Sequence, residues 1–507
     1  MNSSIVRVVM GYVLKMEALL LLLPCVVAFI YGESDWFSFI ISAIVCLFFG
    51  ILLSIKECKD KVFYLKEGCV ATAISWILIC VFGALPFVIS GAIPNFIDAL
   101  FETVSGYTTT GASILTNVEA LSHSMLFWRS FLHWFGGMGV LVFLLAIVPM
   151  TGGSSMNLMK AESPGPTVGK FVPKIKTTAA LLYYIYFGLS LLQFIILLIA
   201  KMPVFDALTT TFGTAGTGGF GIKADSIGGY SPAIQWIVAV FMMLFGINFN
   251  FYYFIILGKI TKSLKMEEVR VYILIMLTAA ACIFINTFGM YSTVEEGLRQ
   301  AYFQVSSVMT STGFATTDFN LWPNFSRGLM ILVMFIGACA GSTGGGIKVS
   351  RIIICFKAIK NELHSYVHPK SVKVLKMDGE TVDKATIKST LVYLATFCAI
   401  YIISFFIVSL DGFDLETSFT SIVATFNNIG PGLSMVGPTG SFADFSILSK
   451  LVLIFDMLAG RLELFPLLLL FHPTIWSDLF KRKFRGTKVR KKLNFGKLIS
   501  RRKANNK

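Results

Sequence analysis

Residues 95–115, Asn-Phe-Ile-Asp-Ala-Leu-Phe-Glu-Thr-Val-Ser-Gly-Tyr-Thr-Thr-Thr-Gly-Ala-Ser-Ile-Leu, decide the fold. This stretch predicts a short helix from Ile97 to about Tyr107, followed by an extended segment that ends at Gly111. The pattern returns three more times, with a small residue twelve positions ahead of a glycine: Ala99/Gly111, Ala207/Gly219, Ala301/Gly313 and Ser418/Gly430. A unit that recurs about every hundred residues indicates a repeat architecture. We therefore expect four repeated units arranged around one axis.

The composition places the chain in a membrane. Of its 507 residues, 55% are hydrophobic and only 14% are charged, and the mean hydropathy is +0.75. These values exclude an ordinary soluble protein. Apolar runs of about twenty residues can cross a hydrocarbon core of roughly 30 Å as helices. Ten such spans are predicted, at 10–31, 36–55, 70–90, 125–149, 177–200, 232–257, 271–290, 326–357, 389–409 and 446–471.

The order of these segments predicts an all-α polytopic membrane protein. A leading two-helix hairpin is followed by four blocks, each with a span, a pore half-helix and a second span, arranged around one central pore. The predicted boundaries are 1–66 for the hairpin, 67–175, 176–268, 269–385 and 386–478 for the four pore repeats, and 479–507 for a basic cytoplasmic tail.

Lysine and arginine predict the orientation. They concentrate in the connections after spans two, four, six and eight and in the tail from Lys481 onward. By the positive-inside rule, both termini are cytoplasmic and the four glycine segments open outward. The net charge of +15 is therefore mostly a consequence of topology. A tail that faces lipid or a protein partner is favoured over nucleic-acid binding.

The repeated glycine segments have the chemistry of a cation filter. Non-helical backbone at membrane depth occurs only where it is buried in protein or lines water. Four extended segments around an axis present rings of carbonyl oxygens that can replace a cation's hydration shell. The preceding half-helices would point their negative C-terminal ends inward. Close helix packing is the alternative for one glycine motif, but four copies favour a filter. The candidate residues are Thr109, Thr110, Gly111, Thr217, Gly218, Gly219, Ser311, Thr312, Gly313, Asn428, Ile429 and Gly430.

The second span of block three predicts a gate. Five glycines lie between Gly337 and Gly346, and each interior glycine costs a helix about 1 kcal/mol relative to alanine. A break at this point would form a flexible segment beneath the filter; a kink for close packing is the alternative. Ile347 separates the glycines from Lys348, which excludes a phosphate-binding loop. The candidate gate residues here are Gly337, Gly341, Ser342, Thr343, Gly344, Gly345, Gly346 and Lys348.

Arg461 is the second gate candidate. It lies in the middle of the last predicted span, where an arginine costs about 2.5–3.5 kcal/mol and should face water or a counter-charge. Glu463 and Asp456 are the candidate partners of a purely structural ion pair. The functional alternative is that Arg461 binds several carbonyls of the glycine-rich segment and lowers cation occupancy below the filter.

These motifs resemble a known family. The segments 105–112, 216–220, 309–314 and 427–432 are similar to the four filters of the Trk/Ktr/HKT superfamily of potassium transporters. The run 337–348, the sequence Gly-Arg-Leu-Glu at 460–463 and the leading hairpin resemble its TrkH-type branch. The resemblance covers nearly the whole chain. In filter two, Thr217-Gly218-Gly219 departs from the Thr-Thr-Gly form, which leaves its register open by one residue.

The resemblance implies a potassium-selective subunit of a homodimer in the bacterial inner membrane, with potassium at the filter residues and one pore per subunit. It also implies gating by a cytosolic TrkA-like ring that binds nucleotides. A gated pore is expected, with a potassium symporter coupled to sodium or protons as the alternative. Coupling requires an acidic side chain at membrane depth, for which Asp456, Glu463 and Glu102 are candidates. No enzymatic constellation or cofactor motif is present in the sequence.

Overall fold

The computed structural model describes residues 3–56, 65–139, 175–371, 373–473 and 475. These residues begin with three helices: α1 (Ser3–Leu20), α2 (Leu22–Tyr31) and α3 (Trp36–Ser54). Helices α1 and α3 pack at close range, because a β-carbon added to Gly11 would lie 2.8 Å from the carbonyl oxygen of Gly50. Small residues allow such close backbone approach between membrane helices. The apolar stretches Ser3–Tyr31 and Trp36–Ser54 thus pack together as a hairpin, while the boundary 1–66 stays a prediction.

Four sets of helices follow in chain order. The first set is α4 (Leu65–Gly83), α5 (Leu85–Ser90), α6 (Phe96–Tyr107) and α7 (His123–Gly137). The second is α8 (Ile175–Ile199), α9 (Val204–Gly216), α10 (Pro232–Phe245), α11 (Phe249–Ile256) and α12 (Ile260–Leu264). The third is α13 (Glu267–Asn286), α14 (Val294–Met309), α15 (Asn324–Phe335) and α16 (Val349–Val367), followed by β1 (Lys376–Met377) and β2 (Glu380–Thr381). The fourth is α17 (Lys384–Val408), α18 (Leu415–Phe426), α19 (Ile447–Arg461) and α20 (Phe465–Leu469).

The described residues contain six helical stretches that are long and apolar enough to cross a membrane, or seven if the bent pair α10 and α11 is counted as one span. Ten spans were predicted. The first spans of all four sets are among the six, together with the two hairpin helices. The predicted spans that are missing from this count are the second spans of the four sets. Part of one of them, 140–149 of the predicted span 125–149, lies outside the described residues.

Two of these second spans are interrupted where the sequence predicts continuous helices. The predicted span 232–257 is wrong as a single helix, because α10 and α11 are bent by 88°. At this bend the Asn248 side chain accepts a hydrogen bond from the Asn250 N–H at 3.0 Å and so caps a new helix. The predicted span 446–471 also breaks, since α19 ends at Arg461 and Leu464 has a φ of +63°. Pro466 lies in the first turn of α20, where its missing N–H costs no hydrogen bond.

Short helices α6, α9, α14 and α18 lie between the spans, and α6 matches the predicted range closely. Three of them have side-chain N-caps, from Asn95, Thr293 and Asp414. The hydrogen bonds that Thr417 donates to Asp414 lower the pKa of that carboxyl group below its ordinary value. A charged carboxylate at a helix N-terminus is favoured by the helix dipole. These three helices are thereby stabilised at their N-termini.

Candidate functional site

The four short helices end in the same way. The N–H groups of Thr110, Gly218, Thr312 and Ile429 each reach back five residues, to the carbonyls of Ser105, Gly213, Ser307 and Ala424, at 2.8, 2.9, 2.8 and 2.8 Å. In each case the residue just before the donor is left-handed: Thr109, Thr217, Ser311 and Asn428 have φ values of 57°, 58°, 57° and 54°. This is the Schellman ending, which commonly uses glycine at the left-handed position. In this chain a residue other than glycine occupies the left-handed position in all four copies.

The backbone fixes the register of the second glycine segment relative to the first. A glycine with positive φ follows each left-handed residue after two positions: Gly111, Gly219, Gly313 and Gly430. Thr217-Gly218-Gly219 therefore corresponds to Thr109-Thr110-Gly111 without any offset. The register that the sequence left open is the one in which Gly219 is the counterpart of Gly111.

The four glycine segments contact one another in a closed cycle. A β-carbon on Gly111 would lie 2.1 Å from the Gly218 oxygen, and one on Gly219 would lie 2.0 Å from the Thr312 oxygen. On Gly313 it would lie 2.1 Å from the Ile429 oxygen, and on Gly430 it would lie 2.7 Å from the Thr110 oxygen. Each segment thus places its glycine against the carbonyl of the next, and the fourth returns to the first. The predicted filter residues are thus brought together in space, and the first and fourth segments are in contact although they lie far apart in the sequence.

Hydroxyl pairs support two of these segments from behind. The Thr108 and Thr110 hydroxyls lie 2.8 Å apart, and the Thr310 and Thr312 hydroxyls are also 2.8 Å apart. Thr110 further accepts a hydrogen bond from the Asn428 side chain at 2.9 Å, which joins segments one and four. All these side chains are buried. Segments one, three and four are therefore linked within themselves or to each other by buried polar side chains.

Glu102 has a role that the sequence did not indicate. Its carboxylate accepts from Arg129 Nε at 2.8 Å and from the backbone N–H of Ile114 at 3.0 Å. The Arg129 guanidinium in turn lies 4.0 Å from the centre of the Phe220 ring, in the second segment. Both charged side chains are almost completely buried. Glu102 thus connects α6 to the chain beyond Gly111.

The glycine-rich segment 336–348 lies between α15 and α16 and is not helical. Its ends are joined by the Gly337 N–H, which donates to the Ile347 oxygen at 2.8 Å. Its middle reaches the filter segments: the Gly345 N–H donates to the Ser311 hydroxyl at 2.5 Å, and a β-carbon on Gly345 would lie 2.6 Å from the Asn427 oxygen. The glycine-rich segment therefore lies directly against the third and fourth glycine segments, close to the ends of α14 and α18.

The glycine-rich segment packs against the bend between α10 and α11, which the sequence did not predict. Phe249 N–H donates to the Gly341 oxygen at 3.0 Å, and Cys339 N–H donates to the Gly246 oxygen at 3.1 Å. The Thr343 hydroxyl donates to the Phe245 oxygen at 3.3 Å. The bend between α10 and α11 thus exposes backbone groups that pair with the glycine-rich segment. Ser342 bonds within the segment, to the Cys339 oxygen at 2.6 Å.

Two charged side chains hold the segment from the α13 and α16 side. Lys348 is buried and donates through Nζ to the carbonyl of Gly344 and, at 3.4 Å, to that of Gly345. Glu268, which the sequence analysis missed, accepts from the N–H groups of Ala340 at 2.7 Å and Ser350 at 3.1 Å. An acidic residue just ahead of the predicted span 271–290 carries no motif, so only its contacts reveal this role.

Arg461 reaches the segment, but not as predicted. It donates to the Thr343 oxygen at 2.9 Å and to the oxygens of Gly136 and Gly137 at 2.5 and 2.7 Å. The expectation that it binds several carbonyls of the glycine-rich segment is corrected to one such carbonyl plus two at the end of α7. The predicted span is broken at this position, because Arg461 is the last residue of α19. A helix end leaves room for its side chain to cross between the first and third sets of helices.

The two acids considered as partners of Arg461 bind elsewhere. Glu463 forms an ion pair with Arg351 of α16, and Asp456 accepts a hydrogen bond from the Ser404 hydroxyl at 2.9 Å. The Arg351 guanidinium also lies 3.8 Å from the centre of the Tyr393 ring. These contacts connect α16 to the break between α19 and α20.

Comparison with known proteins is consistent across sequence and structure. The family model described as TrkH, cation transport protein, matches residues 36–483. The Trk system potassium uptake protein TrkH of Salmonella typhimurium is 37% identical over 466 residues, covering 90% of this chain and 96% of that protein. The corresponding Vibrio parahaemolyticus protein is 35% identical over 485 residues, covering 94% and 99%. The crystal structure of the potassium transporter TrkH from Vibrio parahaemolyticus superposes with a TM-score of 0.83 at 33% identity, covering 93% and 99%.

The helical membrane fold and the family match together define a cation transport protein of the membrane, as opposed to an enzyme. The chain belongs to the TrkH family.

Proposed function

We propose that this chain is the potassium-conducting subunit of a Trk-type potassium uptake system. The observation that carries the proposal is the closed cycle in which Gly111, Gly219, Gly313 and Gly430 each abut a carbonyl group of the next segment. Such a cycle arranges carbonyl oxygens in rings, which is how backbone replaces the hydration shell of a potassium ion. The relatives named as Trk potassium uptake proteins support potassium as the transported ion.

In this proposal the four sets of helices are pore repeats around one axis, at 67–175, 176–268, 269–385 and 386–478, behind a hairpin at 1–66. The half-helices α6, α9, α14 and α18 end at the filter, so their C-terminal dipoles favour a cation beneath it. The remaining boundary, the basic tail at 479–507, lies outside the described residues.

The glycine-rich segment and Arg461 form the gate in this proposal. The segment contacts the filter residue Ser311, and Arg461 holds it to the end of α7. A guanidinium group beneath a filter also repels cations by its charge. Opening requires these hydrogen bonds to be given up.

The proposed setting is a homodimer in the bacterial inner membrane with both termini in the cytoplasm. The lysine-rich connections and tail would face lipid headgroups and a cytosolic TrkA-like ring that binds nucleotides. Support comes from the charge asymmetry of the sequence and from the words "Trk system" in the relatives' names, which denote a system of components.

A passive pore is favoured over coupled symport by the contacts of the candidate acids. Glu102 is paired with Arg129 and Glu463 with Arg351, so neither carboxylate is available to take up and release a coupling ion. Asp456 is completely buried beside Ser404. An electrical potential of 100 mV contributes about 2.3 kcal/mol per charge, which suffices for uptake without coupling.

Reversal potentials of the protein in planar bilayers separate the two mechanisms. With potassium fixed, imposing a sodium or pH gradient should leave the reversal potential at the value that the potassium gradient sets. A coupled symporter would shift it with the second gradient. A reversal potential insensitive to potassium would contradict the proposed function altogether.

The isolated protein is expected not to respond to ATP, ADP or NADH. The sequence has no glycine-rich dinucleotide fingerprint after a predicted strand, and its predicted cytoplasmic connections are too short for a nucleotide domain. Potassium flux should be measured in liposomes containing the purified chain, with each nucleotide added on either side. A change in flux in these liposomes would show that the chain binds nucleotides itself.

A further inference from the structure

The second filter segment lacks the supporting side chains of segments one and three. Thr108 and Thr110 form a hydroxyl pair in segment one, and Thr310 and Thr312 do so in segment three. Counting from the left-handed residue, the counterparts in segment two are Gly216 and Gly218. With no side chains of its own at these two positions, segment two must be supported from elsewhere.

His133 of α7 fills this space. Its side chain is completely buried, and its ring centre lies 4.3 Å from that of Phe220, two residues after Gly218. The Nδ1 atom lies 2.8 Å from the Gly106 oxygen at the end of α6. The Nε2 atom accepts a hydrogen bond from the Phe220 N–H at 3.1 Å. Because Nε2 is an acceptor, the ring is neutral and its proton is on Nδ1, which donates to Gly106.

The imidazole ring and a side chain at position 218 exclude each other. A β-carbon added to Gly218 would lie 2.2 Å from His133 Cγ and 2.2 Å from His133 Nδ1. The glycine at this position, where the other segments carry threonine or isoleucine, thus has a steric cause. Gly216 is restricted independently, since its β-carbon would lie 2.1 Å from the His133 backbone oxygen.

We propose that His133 is a positioning residue for ion selectivity, which substitutes from the first repeat for the hydroxyl pair that the second filter segment lacks. The proposal depends on the filter assignment made above. The ring fixes the Phe220 N–H and fills the volume behind Gly218, so that the carbonyls of Thr217 and Gly218 keep their place in the rings. It also ties the second segment to the end of the first half-helix.

A mutant cycle tests this assignment. His133→Ala leaves the buried Phe220 N–H unpaired and opens a cavity, so we expect the potassium-over-sodium permeability ratio to fall about fivefold or more. Gly218→Thr forces a side chain into the ring and should lower the ratio at least as far. The double variant His133→Ala, Gly218→Thr removes the overlap and supplies a hydroxyl, so its ratio should exceed that of Gly218→Thr.

Two single variants separate the two hydrogen bonds. His133→Asn places an amide N–H near the position of Nδ1, whereas His133→Gln can place an amide oxygen near Nε2 to accept from Phe220. We expect His133→Gln to retain more selectivity than His133→Asn, because the acceptor for the filter segment is preserved. A residue needed only for folding would give equal ratios in both variants once folded protein is selected by size-exclusion chromatography.

The outcomes distinguish this inference from the proposed function. If Gly313→Ser lowers the permeability ratio but folded His133→Ala and His133→Asn keep the unaltered ratio, the filter assignment stands and the role of His133 is refuted. If Gly313→Ser also leaves the ratio unchanged, the filter assignment itself fails. If the double variant is no more selective than Gly218→Thr, the claim that the His133 ring takes the place of a threonine hydroxyl group is likewise refuted.

Discussion

In liposomes without any partner protein, Arg461→Ala is expected to conduct potassium about tenfold faster than the unaltered protein, because a charge-assisted hydrogen bond contributes roughly 1.5–3 kcal/mol. The bond in question joins Arg461 to the Thr343 oxygen at 2.9 Å. The same guanidinium group is held by the oxygens of Gly136 and Gly137. Its removal therefore frees the glycine-rich segment from the end of α7 and weakens the closed arrangement.

Two related variants should also raise the basal potassium flux, to different extents. Arg461→Lys should give an intermediate flux, since an ammonium group is a point donor and lacks the planar fork that spans several carbonyls. Deletion of residues 342–345 should raise flux as far as Arg461→Ala or further, because it removes both the Thr343 carbonyl and the Gly345 contact with Ser311. The permeability ratio should change little in all three, because the filter glycines are untouched.

Arg327→Ala provides the matched control for Arg461. Arg327 is likewise a partly buried arginine, but its partner is the Glu416 carboxylate, and it lies in the first turn of α15, away from the glycine-rich segment. Its replacement should leave basal flux near the unaltered value. If the loop deletion in folded protein conducts no faster than the unaltered chain, the segment only packs the helices and the gate lies elsewhere.

Gly313→Ser is expected to lower the potassium-over-sodium permeability ratio by about tenfold or more, since a left-handed non-glycine residue alone costs roughly 1–2 kcal/mol. Gly313 has a φ of +82°, and its β-carbon would lie 2.1 Å from the Ile429 oxygen. The serine must push that carbonyl group away and so distort a ring shared by the third and fourth segments. Gly111→Ser should act in the same way through the Gly218 oxygen.

Gly188→Ser is the control for these substitutions. Gly188 lies in α8, and a β-carbon there meets no atom within 4 Å. Its permeability ratio should equal that of the unaltered protein. Both filter variants should still reach the membrane, which detergent extraction and size-exclusion chromatography can verify. Unchanged ratios in both Gly111→Ser and Gly313→Ser would remove the basis of the filter assignment.

The sequence by itself determined the features that depend on local chemistry. The hydrophobic composition determined a membrane protein, and the recurring glycine twelve residues after a small residue located all four helix endings. Each of those glycines does have positive φ. Local patterns sufficed here because helix length, helix ending and backbone freedom at glycine depend on nearby residues along the chain.

The tertiary structure decided what depends on residues far apart in the sequence. The breaks after Phe245 and Arg461 follow from contacts with the glycine-rich segment and α7, made across intervals such as the 98 residues from Phe245 to Thr343 and the 325 from Gly136 to Arg461. Glu268 and His133 carry no motif and gain their roles only from backbone groups 72 and 87 residues away. Buried polar groups must find partners wherever the fold supplies them, so these pairings emerge only once distant helices are packed together.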